Sequence, residues 1–188
     1  MNTGQMMLTA FALILLGTTV LTVNKNNINQ GTILRQTEVG IYAVSLATSY
    51  VEKASALNFD ENTVGTFITN GVTTTLTSPS NLGPDLTHYG PYGNEIANVD
   101  STFDDFDDYK NFNKLDIVPG ADAFTTNIDV NYCDTAGVIQ PSTKTFYKRM
   151  DVKTWGTVTR SSFEGTASNG TGTDTIKLSY IFSYIYRI

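Results

Sequence analysis

The side chains best placed to do chemistry are five aspartates crowded together, Asp100, Asp104, Asp105, Asp107 and Asp108, in and just before the run FDDFDDYKNF. A hard cation such as Ca²⁺ takes about six to eight oxygen ligands, and carboxylates at this density could supply several. The spacing is not that of an EF-hand loop, because the sixth-place Gly and twelfth-place Glu are missing. The first expectation is therefore a metal-free, negatively charged turn that caps a short helix or faces bases on a neighbouring subunit. Calcium at Asp104, Asp105, Asp107 and Asp108 is the lesser alternative.

Little else could react. His88 is the only histidine and lies in a Pro/Gly-rich stretch, so a hydrolytic triad or a His-based zinc site has almost nothing to draw on. Cys133 is the only cysteine, which excludes an intrachain disulfide. It lies in an apolar/polar alternation and reads as a small core residue, an intermolecular bridge being the sharper alternative. No enzymatic activity and no cofactor are expected.

Composition argues for a folded chain: 40% of residues are hydrophobic and 16% charged. The net charge of −6 is unevenly placed, since residues 58 to 116 carry ten acids and two bases, whereas residues 117 to 188 carry seven bases and six acids. No basic face is available to neutralise a phosphate backbone, so nucleic acid is not an expected partner.

The elements that must position these groups begin with an uncharged stretch from Met6 to Val23, MMLTAFALILLGTTVLTV. As an α-helix it spans about 27 Å, enough to reach across the hydrocarbon of a bilayer. A cleaved secretory signal fits poorly, because no basic residue precedes the run and no small-residue cleavage site follows it. A permanent anchor and a helix that becomes the core of a polymer both fit. An Asn-rich patch, NKNNINQG, follows and ends at Gly31. Together with Gly17-Thr18-Thr19 it is a place where the helix could stretch, melt or give way to a loop.

Apolar residues then return at helical spacing. Val39, Tyr42, Leu46, Tyr50, Lys53 and Leu57 fall at steps of three or four, with Ile41, Val44 and Val51 widening the stripe. Small residues at Gly40, Ala43, Ala47, Ala54 and Ala56 allow close approach of the head or of neighbouring helices. Downstream, Asn70-Gly71 suits a hairpin turn between GTFIT and VTTTLT. Prolines and glycines from Pro79 to Gly93 mark a long loop. Three stretches then alternate as strands: Phe124 to Tyr132, Thr143 to Trp155 and Asp174 to Arg187. In the second, Phe146, Lys148, Met150, Val152 and Thr154 share a face. Asn169-Gly170-Thr171, in the turn-rich stretch Gly165 to Thr173, matches a glycan acceptor. The fold class expected is α+β, a long N-terminal α-helix, apolar then amphipathic, packed on an antiparallel β-sheet head.

The leader-like Met1-Asn2-Thr3-Gly4, the apolar run, its amphipathic continuation and the acidic FDDFDDYKNF segment ahead of strands together resemble the type IV pilin family, pseudopilins and minor pilins included. The resemblance implies a short leader over residues 1 to 4 with processing at Gly4 and Gln5. It further implies an apolar helix and flexible Asn-rich segment over 5 to 31, an amphipathic helix over 32 to 57 and a β-rich head over 58 to 188. It also implies polymerisation through Met6, Met7, Leu8, Phe11, Leu13, Ile14, Leu15, Leu16, Val20, Leu21 and Val23. The function implied is that of a structural subunit of a filament at the cell surface. Its partners would be copies of itself, the inner membrane before assembly and the pilus assembly machinery. The chain departs from the family pattern in lacking a basic leader residue and in having Thr9, not Glu, at the fifth position after Gly4. A single-pass, membrane-anchored binding or adhesion module, or a pseudopilin of a secretion system, is the alternative. If the acidic middle meets the basic C-terminal third, within the head or between subunits, filaments are expected to soften at high salt.

Overall fold

Leu, Met and Ala dominate the first turns and the first proline of the chain comes only at Pro79, so nothing stops a helix once it has started. The computed structural model describes residues 3–64, 68, 71–85, 95–119, 123–156 and 175–184. It divides into two compact units, Met1–Gly40 and Ile41–Ile188. One helix, α1 (Thr3–Ser55), forms the described part of the first and opens the second.

In the first unit the helix runs through the Asn-rich patch without a break. Each Asn costs at most about 0.7 kcal/mol relative to Ala, and that is spread over residues that keep their backbone bonds. The threonines of the apolar run are accommodated in the same way. The hydroxyls of Thr9, Thr18, Thr19 and Thr22 donate to the carbonyls of Met6, Leu15, Leu15 and Thr18 at 2.9, 3.0, 2.7 and 2.8 Å. Gly17-Thr18-Thr19 is therefore helical with both hydroxyls satisfied from within.

In the second unit α1 packs on a four-stranded antiparallel sheet of β1 (Phe112–Ile117), β2 (Ala123–Tyr132), β3 (Tyr147–Gly156) and β4 (Ile176–Ser183), in the order β1-β2-β3-β4. The α+β class is thus the observed one. The inner faces align in rows: Phe112, Ile128, Val152 and Leu178 form one, and Val130, Met150 and Tyr180 another. Tyr50 of the helix and Phe103, Phe106, Tyr109 and Phe112 close over them, with the Phe103 and Tyr109 rings edge to face at 5.0 Å.

The buried stripe of α1 is narrower than expected. It follows Ala43, Ala47, Tyr50, Val51 and Ala54, whereas Ile41 and Val44 are 65% and 48% exposed. Alanines let the helix approach the sheet closely, so the line of contact follows the small residues and Leu46 and Leu57 pack at its flanks.

β1 lies outside the expected strands. Its pattern is inverted: Leu115 and Ile117 face outward, while the half-buried Lys114 and Asp116 face the helix. The Tyr50 hydroxyl donates to Asp116 Oδ2 at 2.7 Å and Lys114 pairs with Asp100 at 2.6 Å. Thr73–Thr75 is a 3₁₀ turn, not the strand anticipated there, because the threonine run has only Leu76 to bury. Asn70, His88, most of the Pro/Gly-rich loop, the glycan sequence and Ile185 to Arg187 lie outside the described residues.

Ala47→Leu forces extra methylenes into the helix–sheet contact and is expected to destabilise the head by about 1–3 kcal/mol. Ile41→Ser on the exposed side is expected to change stability by less than about 0.5 kcal/mol. Denaturant unfolding of the detergent-solubilised chain, followed by the fluorescence of the single tryptophan Trp155, measures both.

Candidate functional site

Strand alternation on β3 turns Lys148 inward between Phe146 and Met150, where it is 0% exposed. An ammonium is tolerated in such a place only when paired and fully hydrogen-bonded. All three N–H groups are used: Nζ donates to the Phe59 carbonyl at 2.7 Å, to Asp60 Oδ2 at 2.9 Å and to Asp107 Oδ1. The rings of Phe59 and Tyr132 stand 4.6 and 5.2 Å from Nζ, giving the charge two aromatic faces. Enclosed and saturated, this lysine is not free to act as a nucleophile.

Asp60 is the anion at the centre of the network. It caps the 3₁₀ turn Glu61–Thr63, accepts the Thr77 N–H and hydroxyl at 3.0 and 2.9 Å, and accepts the Tyr132 hydroxyl at 3.0 Å. Burial pushes its carboxyl up, but the Lys148 charge and the bonds from Lys148 and Thr77 outweigh burial and hold it below the ordinary carboxylate range. Burial pulls Lys148 down, while Asp107, Asp105 and Asp60 together hold it above its usual value, so it stays charged. One ammonium cannot offset every neighbouring carboxylate: Asp60 is held down, whereas Asp107 and Asp105 stay raised.

The remaining carboxylates sit around the 3₁₀ turn Asp107–Tyr109. Asp105 Oδ1 accepts the N–H groups of Asp107 and Asp108 at 2.7 and 3.2 Å, and Asp108 Oδ2 accepts those of Asp104 and Asp105 at 3.1 and 3.0 Å. Glu95 accepts the N–H of Asp85 at 2.6 Å and that of Asp104 at 3.3 Å. Burial first, then the charges of Asp107 and Asp108, raise Asp105 well above the ordinary carboxylate range. Burial also raises Asp107, although Lys148 opposes it, and raises Glu95. Asp108 is pushed up to about 9 by burial and then by its hydrogen bond with Glu95.

The aspartates singled out in the sequence thus come together, but buried, where a charged turn facing a neighbour was expected. Asp104, Asp105, Asp107 and Asp108 are all at or below 8% exposure. The turn is present, with Asp105 accepting the N–H groups of its first two residues; the solvent-facing charge is not. Asp100 stands apart, between Lys53 and Lys114 at 2.8 and 2.6 Å. Lys148, Asp60 and Glu95 were not singled out. The signal for Lys148 was its place on an inward-facing alternation with Met150 and Val152, whereas nothing local marks Asp60 or Glu95.

The acidic middle does meet the C-terminal third inside the head, through Lys148. That pair is buried, and salt screens exposed charges far more than buried ones, so it gives no ground for softening at high salt. Cys133 is fully buried and burial pushes its thiol up, as a small core residue requires and an intermolecular bridge does not allow.

The second candidate feature is the N-terminal part of α1. Gly4 and Gln5 lie in its first turns, exposed. Every apolar residue singled out between Met6 and Val23 is exposed, from 54% at Val23 to 73% at Leu8. Thr3–Gly31 is long and apolar enough to cross a membrane, with none of it buried. No protein-family model, curated protein or solved structure matches the chain.

Lys148→Met leaves Asp60 and Asp107 buried without their cation and is expected to cost the head about 3–5 kcal/mol in unfolding experiments. The Asp60 pKa is lower folded than unfolded, so its stabilisation is complete above the unfolded value of about 4 and is lost as pH falls through the folded one. The stability deficit of Asp60→Asn against the unmodified chain is therefore expected to be full at about pH 6. It should narrow steadily below about pH 4, which parallel denaturant titrations measure.

Proposed function

We propose that the chain is a structural subunit of a type IV pilus-like filament, inserted in the inner membrane before assembly and polymerising at the cell surface through the apolar part of α1. The observation that carries this reading is that one unbroken helix has an uncharged, predominantly apolar and exposed stretch from Met6 to Val23 and a second part whose small-residue stripe packs on a β-sheet. Exposed apolar surface on that scale needs an apolar partner. Burying each Leu, Ile, Val, Phe or Met side chain from water contributes about 1.5–3 kcal/mol. Leaving lipid for a filament core gains far less, since both are apolar, so packing between helices and an assembly machine supply the rest.

The helix chemistry suits a bundle of copies. Its threonines bond their own backbone, which leaves no unmet hydroxyl on the packing surface. Thr9 stands where most pilins carry the glutamate that pairs with a neighbour's N-terminus, so registration here rests on shape and not on a buried ion pair. A membrane-anchored adhesion module, or a pseudopilin that polymerises only briefly, is the competing role for the same helix.

Negative-stain electron microscopy of material sheared from producing cells, with mass spectrometry of the subunit N-terminus, tests the proposal. Thin uniform filaments containing this chain are expected, and the mass decides whether the mature subunit starts at Gln5. Leu13→Lys, which puts a charge on a side chain 68% exposed in the isolated subunit, is expected to abolish filaments while leaving the head's unfolding curve unchanged. A monomer confined to the membrane fraction, with no filaments, points to the anchored module instead.

A further inference from the structure

A second group of buried carboxylates lies in the head, apart from those that Lys148 pairs with. Glu95, Asp104 and Asp108 each present a carboxylate oxygen within 4.8 Å of the other two, and the three residues are only 4%, 8% and 2% exposed. Asp104 is more than nine-tenths buried, yet its Oδ1 has no hydrogen-bond donor. A buried carboxylate oxygen is costly until a donor or a cation reaches it.

Among the described residues no basic side chain supplies one. Lys148 is committed to Asp60 and Asp107, Lys53 and Lys114 to Asp100, and Lys110 to Asp129. Among the described residues no ion pair reaches Glu95, Asp104 or Asp108. Backbone N–H groups hold one oxygen of Asp108 and both oxygens of Glu95, and the hydrogen bond between Asp108 and Glu95 is the place where a cation would replace a shared proton.

We propose that Glu95, Asp104 and Asp108 bind a hard divalent cation of the calcium class. An ion with oxygen ligands at about 2.3–2.6 Å holds ligand atoms up to about 5 Å apart across its centre, which accommodates the observed spacing. The donors are all carboxylate oxygens, with no His or Cys among them, a set that suits calcium or magnesium and not zinc or copper. Asp104 also shares a second grouping with Glu61 and Asp105, so it sits where the two sets of oxygens meet. Of the aspartates singled out in the sequence, Asp107 is taken by Lys148, and Asp105 Oδ1 by the N–H groups of its own turn. Glu95 stands in their place. Bound there, the ion would clamp the segment at Glu95 to the turn at Asp104 to Asp108, directly over the aromatic core that receives α1.

Calcium chloride titrated into the EDTA-stripped, detergent-solubilised full chain tests this, by calorimetry and by thermal unfolding. The result does not depend on whether filaments form. Saturable binding is expected, with a rise in Tm that matched sodium chloride does not reproduce. Asp104→Asn and Glu95→Gln are expected to lose that rise, while Glu52→Gln on the exposed helix surface keeps it. In EDTA, Asp104→Asn should be at least as stable as the unmodified chain, because it takes one of three crowded carboxylates out of the group; in calcium it should be the less stable of the two. A residue with only a packing role would weaken the chain in both buffers. Absence of saturable binding by the unmodified chain, or an unaltered calcium response in Asp104→Asn and Glu95→Gln, overturns the proposal.

Discussion

A single buried ammonium organises the head. Lys148 draws together the loop leaving α1, through the Phe59 carbonyl and Asp60, and the turn before β1, through Asp107. Asp60 then extends the reach to Thr77 and to Tyr132 of β2. These segments are far apart in sequence and have little regular structure of their own. Apolar contact alone would let them slide, because hydrophobic burial has no direction. Three donors on one nitrogen do have direction, and each must find its acceptor or leave a charge stranded.

That arrangement explains why the layout of the fold was legible in the sequence and the centre of the site was not. The apolar run and the β2, β3 and β4 alternations are periodic, and the structure contains α1 and those strands. β1 escaped because its apolar residues, Leu115 and Ile117, face outward while its charged ones face α1, the reverse of what a hydrophobic pattern signals. The helix stripe shifted for a related reason: close packing selects small residues, and Ala43, Ala47 and Ala54 outweigh the larger Ile41 and Val44. Asp60, Asp107 and Lys148 lie tens of residues apart, so their meeting is a product of topology that no local spacing could announce. The aspartate cluster was visible as density of charge. Its burial was not, because burial depends on the aromatic side chains that fold over it.

The two units place opposite demands on the helix they share. From Ile41 onward α1 has a specific partner, a sheet contoured to its alanines, with Tyr50 reaching Asp116. From Thr3 to Gly31 it is exposed along its length. Such a division is what the proposed filament role asks of the helix.

The threonines of α1 make the N-terminal segment indifferent to what surrounds it. With hydroxyl protons lodged on carbonyls of the same helix, the segment carries its own hydrogen-bond saturation wherever it goes. For the stretch from Met6 to Val23, a passage between two oily environments would break no hydroxyl hydrogen bond and need make none. A serine or asparagine zipper would fix its partners by electrostatics. This surface leaves that choice to contour, and to whatever grips the head.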